Sequence, residues 1–304
     1  MERFKSNGKL LLTGEYVVLD GALALAIPTK YGQSLEIKRI KNLNINWTSL
    51  DNQNNIWFET SLPIKNINKD ALNIIKPSNP TQRLLQILTA AKLLNPQFLE
   101  EQTGLEVTTV LDFPQNWGLG TSSTLINNIA LWANVNPYKL LELTFGGSGY
   151  DIACAQHNTP ITYQLKNKSQ EATPVNFNPP FKDKLYFVYL NKKQNSRDGI
   201  ANYKALKPLD TEVINNINAI TLQTITNTDF DTFNQLIEQH EHIIAQVTKQ
   251  DTVKQLLFPD FNGAIKSLGA WGGDFILVSS KINPKIYFNN KGYNTVIPYS
   301  EMTL

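Results

Sequence analysis

Three short stretches of the chain set chemically capable side chains beside glycines. In the first, Gly8-Lys9-Leu10-Leu11-Leu12-Thr13-Gly14-Glu15-Tyr16-Val17-Val18-Leu19, a lysine enters an apolar run. It can hold a point charge at a pocket edge, or it is a solvated residue at a strand end. In the second, Asn116-Trp117-Gly118-Leu119-Gly120-Thr121-Ser122-Ser123-Thr124, two glycines let backbone amides approach an anion, and hydroxyls follow. Ser122 or Ser123 is placed to cap a helix running to Trp132, whose unpaired first amides would then make a phosphate site. No Gly-Lys-Ser/Thr ending is present, so this is not a P-loop, and a plain Gly-rich turn into a capped helix also fits. In the third, Gly146-Gly147-Ser148-Gly149-Tyr150-Asp151-Ile152-Ala153-Cys154-Ala155, one carboxylate opens a small-residue helix. Asp151 reads as a carboxylate held by the helix dipole, as a base, or as an electrostatic partner for a lysine. A further glycine-rich stretch, Gly269 to Asp274, reads alone as a loop between helix and strand.

These residues need a frame of alternating strands and helices. Leu10–Leu12, Tyr16–Leu19, Ser34–Ile37 and Leu105–Leu111 read as strands. Thr81–Leu94 reads as a helix behind Pro80, and about Ser122–Trp132 as another. After Asn178-Pro179-Pro180 the pattern restarts with a buried strand, Leu185–Leu190. A polar segment and two long helices, roughly 208–226 and 229–249, follow. A short helix ending near Leu268 precedes the strand Phe275–Val278. This predicts an α+β protein with a boundary at the proline pair, giving domains 1–178 and 179–304.

The 304 residues suit two domains, and 41% hydrophobic content is too much for a disordered chain. A net charge of +2 gives no reason to expect binding to nucleic acid or to a membrane surface. No apolar run approaches the ~18 residues of a bilayer span. Leu10-Leu11-Leu12 is followed closely by Glu15 and Asp20, which argues against a secretory signal. The single Cys154 excludes an internal disulfide and a Cys-built zinc site. His240 and His242, two apart on a helix, cannot share a metal, so one is expected on the surface and one partly packed. The expectation is a soluble, cytoplasmic enzyme or small-molecule binder.

In order and spacing the glycine motifs resemble those of the GHMP kinases, the family of galactokinases, homoserine kinases, mevalonate kinases and phosphomevalonate kinases. Gly8-Lys9-Leu10 through Gly21 is similar to the family's first motif. Gly118-Leu119-Gly120-Thr121-Ser122 resembles its phosphate loop, and Gly269-Ala270-Trp271-Gly272-Gly273 its third loop. Gly14-Glu15-Tyr16, Gly147-Ser148-Gly149-Tyr150-Asp151 and Asp274 lean toward the phosphomevalonate kinases.

The resemblance implies an N-terminal β/α nucleotide-binding lobe, a C-terminal ferredoxin-like lobe and an active site in the cleft between them. It implies ATP- and Mg²⁺-dependent phosphoryl transfer to a small-molecule acceptor, most simply phosphomevalonate in isoprenoid biosynthesis, by a monomer or homodimer. Lys9 and Asp151 would be catalytic. Gly118, Leu119, Gly120, Thr121, Ser122 and Ser123 would cradle ATP, with Ser122 and Glu142 as metal candidates. Glu15, Tyr16, Ser148, Arg197, Gly269, Ala270, Gly272 and Gly273 would meet the acceptor, with Lys192 and Lys193 beside Arg197 as cations for its phosphate. Mevalonate kinase, a homoserine or sugar kinase, and a non-catalytic metabolite-binding relative are the alternatives. Trp271 replaces the loop's middle glycine and would narrow the approach of backbone to phosphate.

Overall fold

The computed structural model describes residues 1–68, 72, 77–100, 103–167, 169–206 and 209–304, with the side chain of residue 196 left aside. In chain order come β1 (Glu2–Leu11), β2 (Ala24–Ile40), β3 (Asn44–Leu50), β4 (Ile56–Pro63), α1 (Pro80–Leu94), β5 (Gly104–Leu111), α2 (Thr121–Ala133), α3 (Pro137–Glu142) and α4 (Tyr150–Gln156). Next are β6 (Ile161–Lys166), β7 (Ser169–Pro174), β8 (Leu185–Tyr189), α5 (Ser196–Ala205), α6 (Thr211–Thr226), α7 (Phe230–Thr248) and α8 (Val253–Leu257). The chain closes with β9 (Ala264–Ser267), β10 (Phe275–Ser279), α9 (Lys285–Asn290), β11 (Val296–Pro298) and α10 (Tyr299–Met302).

The chain forms two interleaved compact units. The first takes Met1–Gly8, Tyr31–Gln115 and Gly120–Gln156; the second takes Lys9–Lys30, Asn116–Leu119 and His157–Leu304. The boundary expected at Pro179-Pro180 therefore falls inside the second unit.

In the first unit the strands run β4-β3-β5-β2, with β3 and β5 parallel and their neighbours antiparallel. Alternation drives this half: Ile45, Trp47 and Ser49 of β3 are buried while the residues between them are partly open. The inward side chains pack with Leu84, Ile87, Leu88 and Ala91 of α1 and Ile126, Ile129 and Ala130 of α2. α1 starts where Asn79 accepts a hydrogen bond from the Gln82 amide and Pro80 takes the first helical position.

In the second unit the start of β2 pairs with β6, and β6 with β7. A separate antiparallel sheet has the order β11-β8-β10-β9. Numbered within that sheet the order is 4-1-3-2, the ferredoxin-like arrangement, as the resemblance implied.

Three expected elements differ. Tyr16–Leu19 is no strand: Gly14 (φ 87°), Tyr16 (φ 62°) and Gly21 (φ 87°) bend the chain around a 3-10 turn at Val17–Asp20. The stretch ahead of Leu268 is strand β9, not a helix, and the glycine-rich loop joins β9 to β10 as a hairpin. Four wholly buried residues carry no period to tell strand from helix. The polar segment after Leu190 contains helix α5. The 208–226 helix is found as α6, its expected first residue lying outside the described ones.

Candidate functional site

Within the second unit, the first glycine motif is pinned from below. Gly14 adopts φ 87°, and a Cβ there would lie 2.8 Å from the Ala24 side chain, so only glycine makes this turn. The turn drives Glu15 inward, where its side chain is 0% exposed and ion-paired with Lys266, itself 0% exposed. On α7 the buried stripe Phe233, Leu236, Ile237, Ile244 also carries His240 and Glu241. His240 Nε2 accepts from the Gly14 amide at 2.8 Å, and Glu241 accepts from the Ser267 amide at 3.0 Å and its hydroxyl at 2.7 Å. Lys266 Nζ also donates to the Ser267 carbonyl at 2.9 Å.

This cluster is electrostatically tense. Burial pushes the Glu15 carboxyl up to about 7, against the pull of Lys266. Burial likewise raises Glu241 and holds His240 well below its usual range, Lys266 adding to the latter. A neutral His240 accepting at Nε2 carries its proton on Nδ1, which finds no partner among the described residues. Glu15, expected at the acceptor, is thus sealed in the interior. Tyr16 is buried too: its ring stacks on Tyr203 at 5.6 Å and its hydroxyl accepts from the Trp271 amide at 3.2 Å.

A second constellation joins the first and second glycine stretches and the Gly269–Asp274 loop at Lys9. The Lys9 amide donates to the Leu119 carbonyl and its ammonium to the Gly118 carbonyl, both at 3.0 Å. A Cβ on Gly118 (φ 69°) would lie 2.3 Å from Asp274 Cγ, so the carboxyl rests directly against this glycine. Asp274 is 7% exposed and accepts from the Gln194 amide at 3.1 Å. Its backbone is locked as well, its amide on the Lys192 carbonyl at 2.7 Å and its carbonyl on the Leu190 amide at 2.8 Å. Burial raises its carboxyl, and the positive charges of Lys9 and Lys193 pull it back down. A Cβ on Gly269 would lie 3.9 Å from Lys9 Nζ.

The rest of the third loop packs on Gln194, whose Nε2 donates to the Trp271 carbonyl at 2.8 Å. Cβ atoms on Gly272 and Gly273 would meet Gln194 at 2.8 and 2.5 Å, which explains both glycines. Trp271 does not narrow the loop as expected. Its indole is 4% exposed and packs among Tyr16, Val17, Ala22, Tyr203, Ile217 and Ile244. Trp117 packs edge-on against Phe275 at 5.3 Å. Lys192, Lys193 and Arg197 are exposed, Arg197 in the first turn of α5.

In the first unit, α2 begins at Gly120 (φ 98°) with no side-chain cap. Neither Ser122 nor Ser123 caps it, contrary to expectation. Ser123 is buried and donates back to the Gly120 carbonyl at 2.8 Å, while Ser122 is exposed. The N-cap position therefore sets no side chain on the first-turn amides, which suits a phosphate site. Asp151 is half-buried in the first turn of α4, its carboxyl accepting from the Ile152 amide at 3.1 Å. Burial, with Cys154 and Asp151 nearby, pushes the Tyr138 hydroxyl up to about 12. Ser148 and Cys154 are buried. Glu142 is exposed at the last position of α3, and no group of three or more His, Cys, Asp or Glu residues is placed to hold a metal among the described residues. An exposed hydroxyl such as Ser122 still suits Mg²⁺, which takes few protein ligands and keeps several waters.

Sequence reasoning singled out Lys9, Gly118 and Asp151, gave His240 only a packing role, and passed over Glu241, Lys266 and Gln194. The signal for His240 and Glu241 was polar residues on an otherwise apolar helical stripe. Of the two histidines, His240 is fully buried rather than partly packed, and His242 is exposed.

The fold of the chain is that of the GHMP kinases. Mevalonate kinase from Methanococcus jannaschii superposes with a TM-score of 0.71 at 15% identity, over 97% of this chain and 96% of that one. Streptococcus pneumoniae phosphomevalonate kinase, in complex with phosphomevalonate and AMPPNP, gives 0.67 at 15% identity over 96% of both chains. Lactococcus lactis galactokinase, complexed with galactose, gives 0.71 at 12% identity over 100% of this chain and 93% of that one. No family model and no curated protein matches the sequence. Among the described residues no helix is long and apolar enough to cross a membrane.

Proposed function

We propose that the chain is an ATP-dependent small-molecule kinase, acting in the cytoplasm as a monomer or homodimer. The observation that carries this reading is the Lys9 ammonium seated on the Gly118 carbonyl, at the glycine turn that leads into the uncapped end of α2. A solvated lysine at a strand end would have no reason to be tied there.

In this reading the first-turn amides of α2 bind the phosphates of ATP, aided by the helix dipole. Lys9 neutralises charge developing on the transferred group. Asp151 orients the acceptor hydroxyl or takes its proton. Ser122 offers its hydroxyl to Mg²⁺, which when bound spreads the charge of the phosphates. Lys192, Lys193 and Arg197 supply cations for a phosphorylated acceptor, and phosphomevalonate is the acceptor we favour. That preference rests on the Gly-Glu-Tyr and Gly-Ser-Gly-Tyr-Asp motifs, because the fold is shared by kinases of mevalonate, phosphomevalonate and galactose alike. The packed indole of Trp271 removes the main reason for a non-catalytic relative.

The test is ADP release from Mg-ATP with mevalonate, phosphomevalonate, homoserine and galactose in turn. Acceptor-dependent turnover with phosphomevalonate, lost in Asp151→Asn while ATP binding persists, is the expected result. Turnover with another member of the panel would keep the chemistry and change the acceptor. Absence of both ATP binding and turnover would end the kinase reading.

A further inference from the structure

Asp274 lies outside the residues assigned to ATP, metal or acceptor, yet it is held on every side that the structure shows. It is a non-glycine residue at φ 53°, a conformation disfavoured for L residues. Backbone hydrogen bonds on both sides, to Leu190 and Lys192, hold it there. Its carboxyl is then fixed by the Gln194 amide and pressed against Gly118. A buried carboxylate is costly without a positive partner. The charges acting on it are those of Lys9 and Lys193, and Lys9 donates to the carbonyl of the same Gly118 that the carboxyl touches.

We propose that Asp274 is the positioning residue for Lys9, its carboxylate holding the ammonium, charged and in place, at the Gly118 carbonyl. The inference rests on the reading of Lys9 as the cation of a phosphoryl-transfer site. It adds that the third glycine-rich loop serves that site by delivering one negative charge at its end. The short reach is essential: a longer side chain would have to pass through Gly118. The other titratable groups feeling Asp274 are Lys193, Tyr189 and Tyr16, the two tyrosines both raised mainly by burial.

The experiment uses the full chain, without nucleotide, carrying ¹³C-labelled lysine, with the Lys9 signal assigned through Lys9→Arg. In Asp274→Asn, which keeps the shape and an acceptor for the Gln194 amide, the Lys9 titration should move down by about one unit, tenfold in proton affinity. Lysines remote from Asp274 should not move. In the converse variant, Lys9→Met, the Asp274 carboxyl read by ¹³C should titrate higher, as reciprocity demands. Lys9→Met also serves if Asp274→Asn fails to fold. An unmoved Lys9 in folded Asp274→Asn, or an unmoved Asp274 in Lys9→Met, would overturn the proposal. Neither readout uses turnover, so a failed kinase assay and a failed charge pairing are separate results. Where turnover is found, Asp274→Asn should lower kcat at least tenfold and shift the alkaline limb of the rate profile to lower pH, while Asp274→Glu should not rescue it.

Discussion

Glu15 and Lys266 form an ion pair with both side chains fully buried, joining residues 251 apart in sequence. One stands in the first glycine motif and the other on β9, the strand that delivers the third. A buried pair adds little stability over an apolar pair of similar size, but breaking it strands a charge. Lys266→Met should therefore cost about 3–5 kcal/mol in urea unfolding, and the double variant Glu15→Leu/Lys266→Met should recover most of that loss. A double variant no more stable than the single one would mean that the pair is not the dominant contact.

The same cluster sets a pH dependence with two opposed parts. The folded chain holds the Glu15 proton more tightly than the unfolded chain, its carboxyl raised from 4.5 to about 7. That contribution is full below pH 4.5 and lost as pH rises to about 7. His240 is depressed from 6.5, so its contribution is full above pH 6.5 and lost as pH falls. His240→Gln keeps an acceptor for the Gly14 amide without the titrating ring. Its stability relative to the parent should improve by about 2 kcal/mol between pH 7 and pH 5. Parallel profiles would mean that His240 takes up its proton as readily in the folded chain as in the unfolded one.

Gly118→Ala places a methyl group into the Asp274 carboxyl at a backbone angle of φ 69°. Gly147→Ala, at φ 111° with nothing within 4 Å, bears the strain without the collision. The first should lose about 2 kcal/mol more stability than the second. Equal losses would show that the carboxyl moves aside freely.

Trp271→Gly, which would open the loop if the indole lay over it, should instead remove a core side chain. A loss of about 3–5 kcal/mol with no gain in ATP affinity is expected, and Trp271→Phe should lose much less. Tighter ATP binding in Trp271→Gly would restore the blocking role.

Much of the frame could be read from the sequence where the apolar period was long. α1, α6 and α7 lie within a few residues of their expected ends, and β5, β8 and β10 stand where alternation or a buried run placed them. Val17 and Val18 misled because their β-branched character was overridden by Gly14, Tyr16 and Gly21, whose positive φ angles no local pattern displays. The glycines of the site were legible, being demanded by close approach at Gly118, Gly272 and Gly273. Their partners were not: what makes His240 or Gln194 meaningful is a contact to a backbone far away in sequence.

The bond from the Gly14 amide to His240 spans 226 residues, and Leu23 waits similarly for Asn218, 195 residues on. At roughly 5–20 residues per second, the segment from Leu12 to Ile27 remains without these partners for about 10–45 s of synthesis. During that time Val17, Val18, Leu25 and Ile27, all destined for the interior, have nothing native from α6 or α7 to cover them. The nascent chain thus carries a sticky stretch until α6 and α7 have followed it, a natural landing place for holding chaperones and a region where slowed synthesis would favour aggregation.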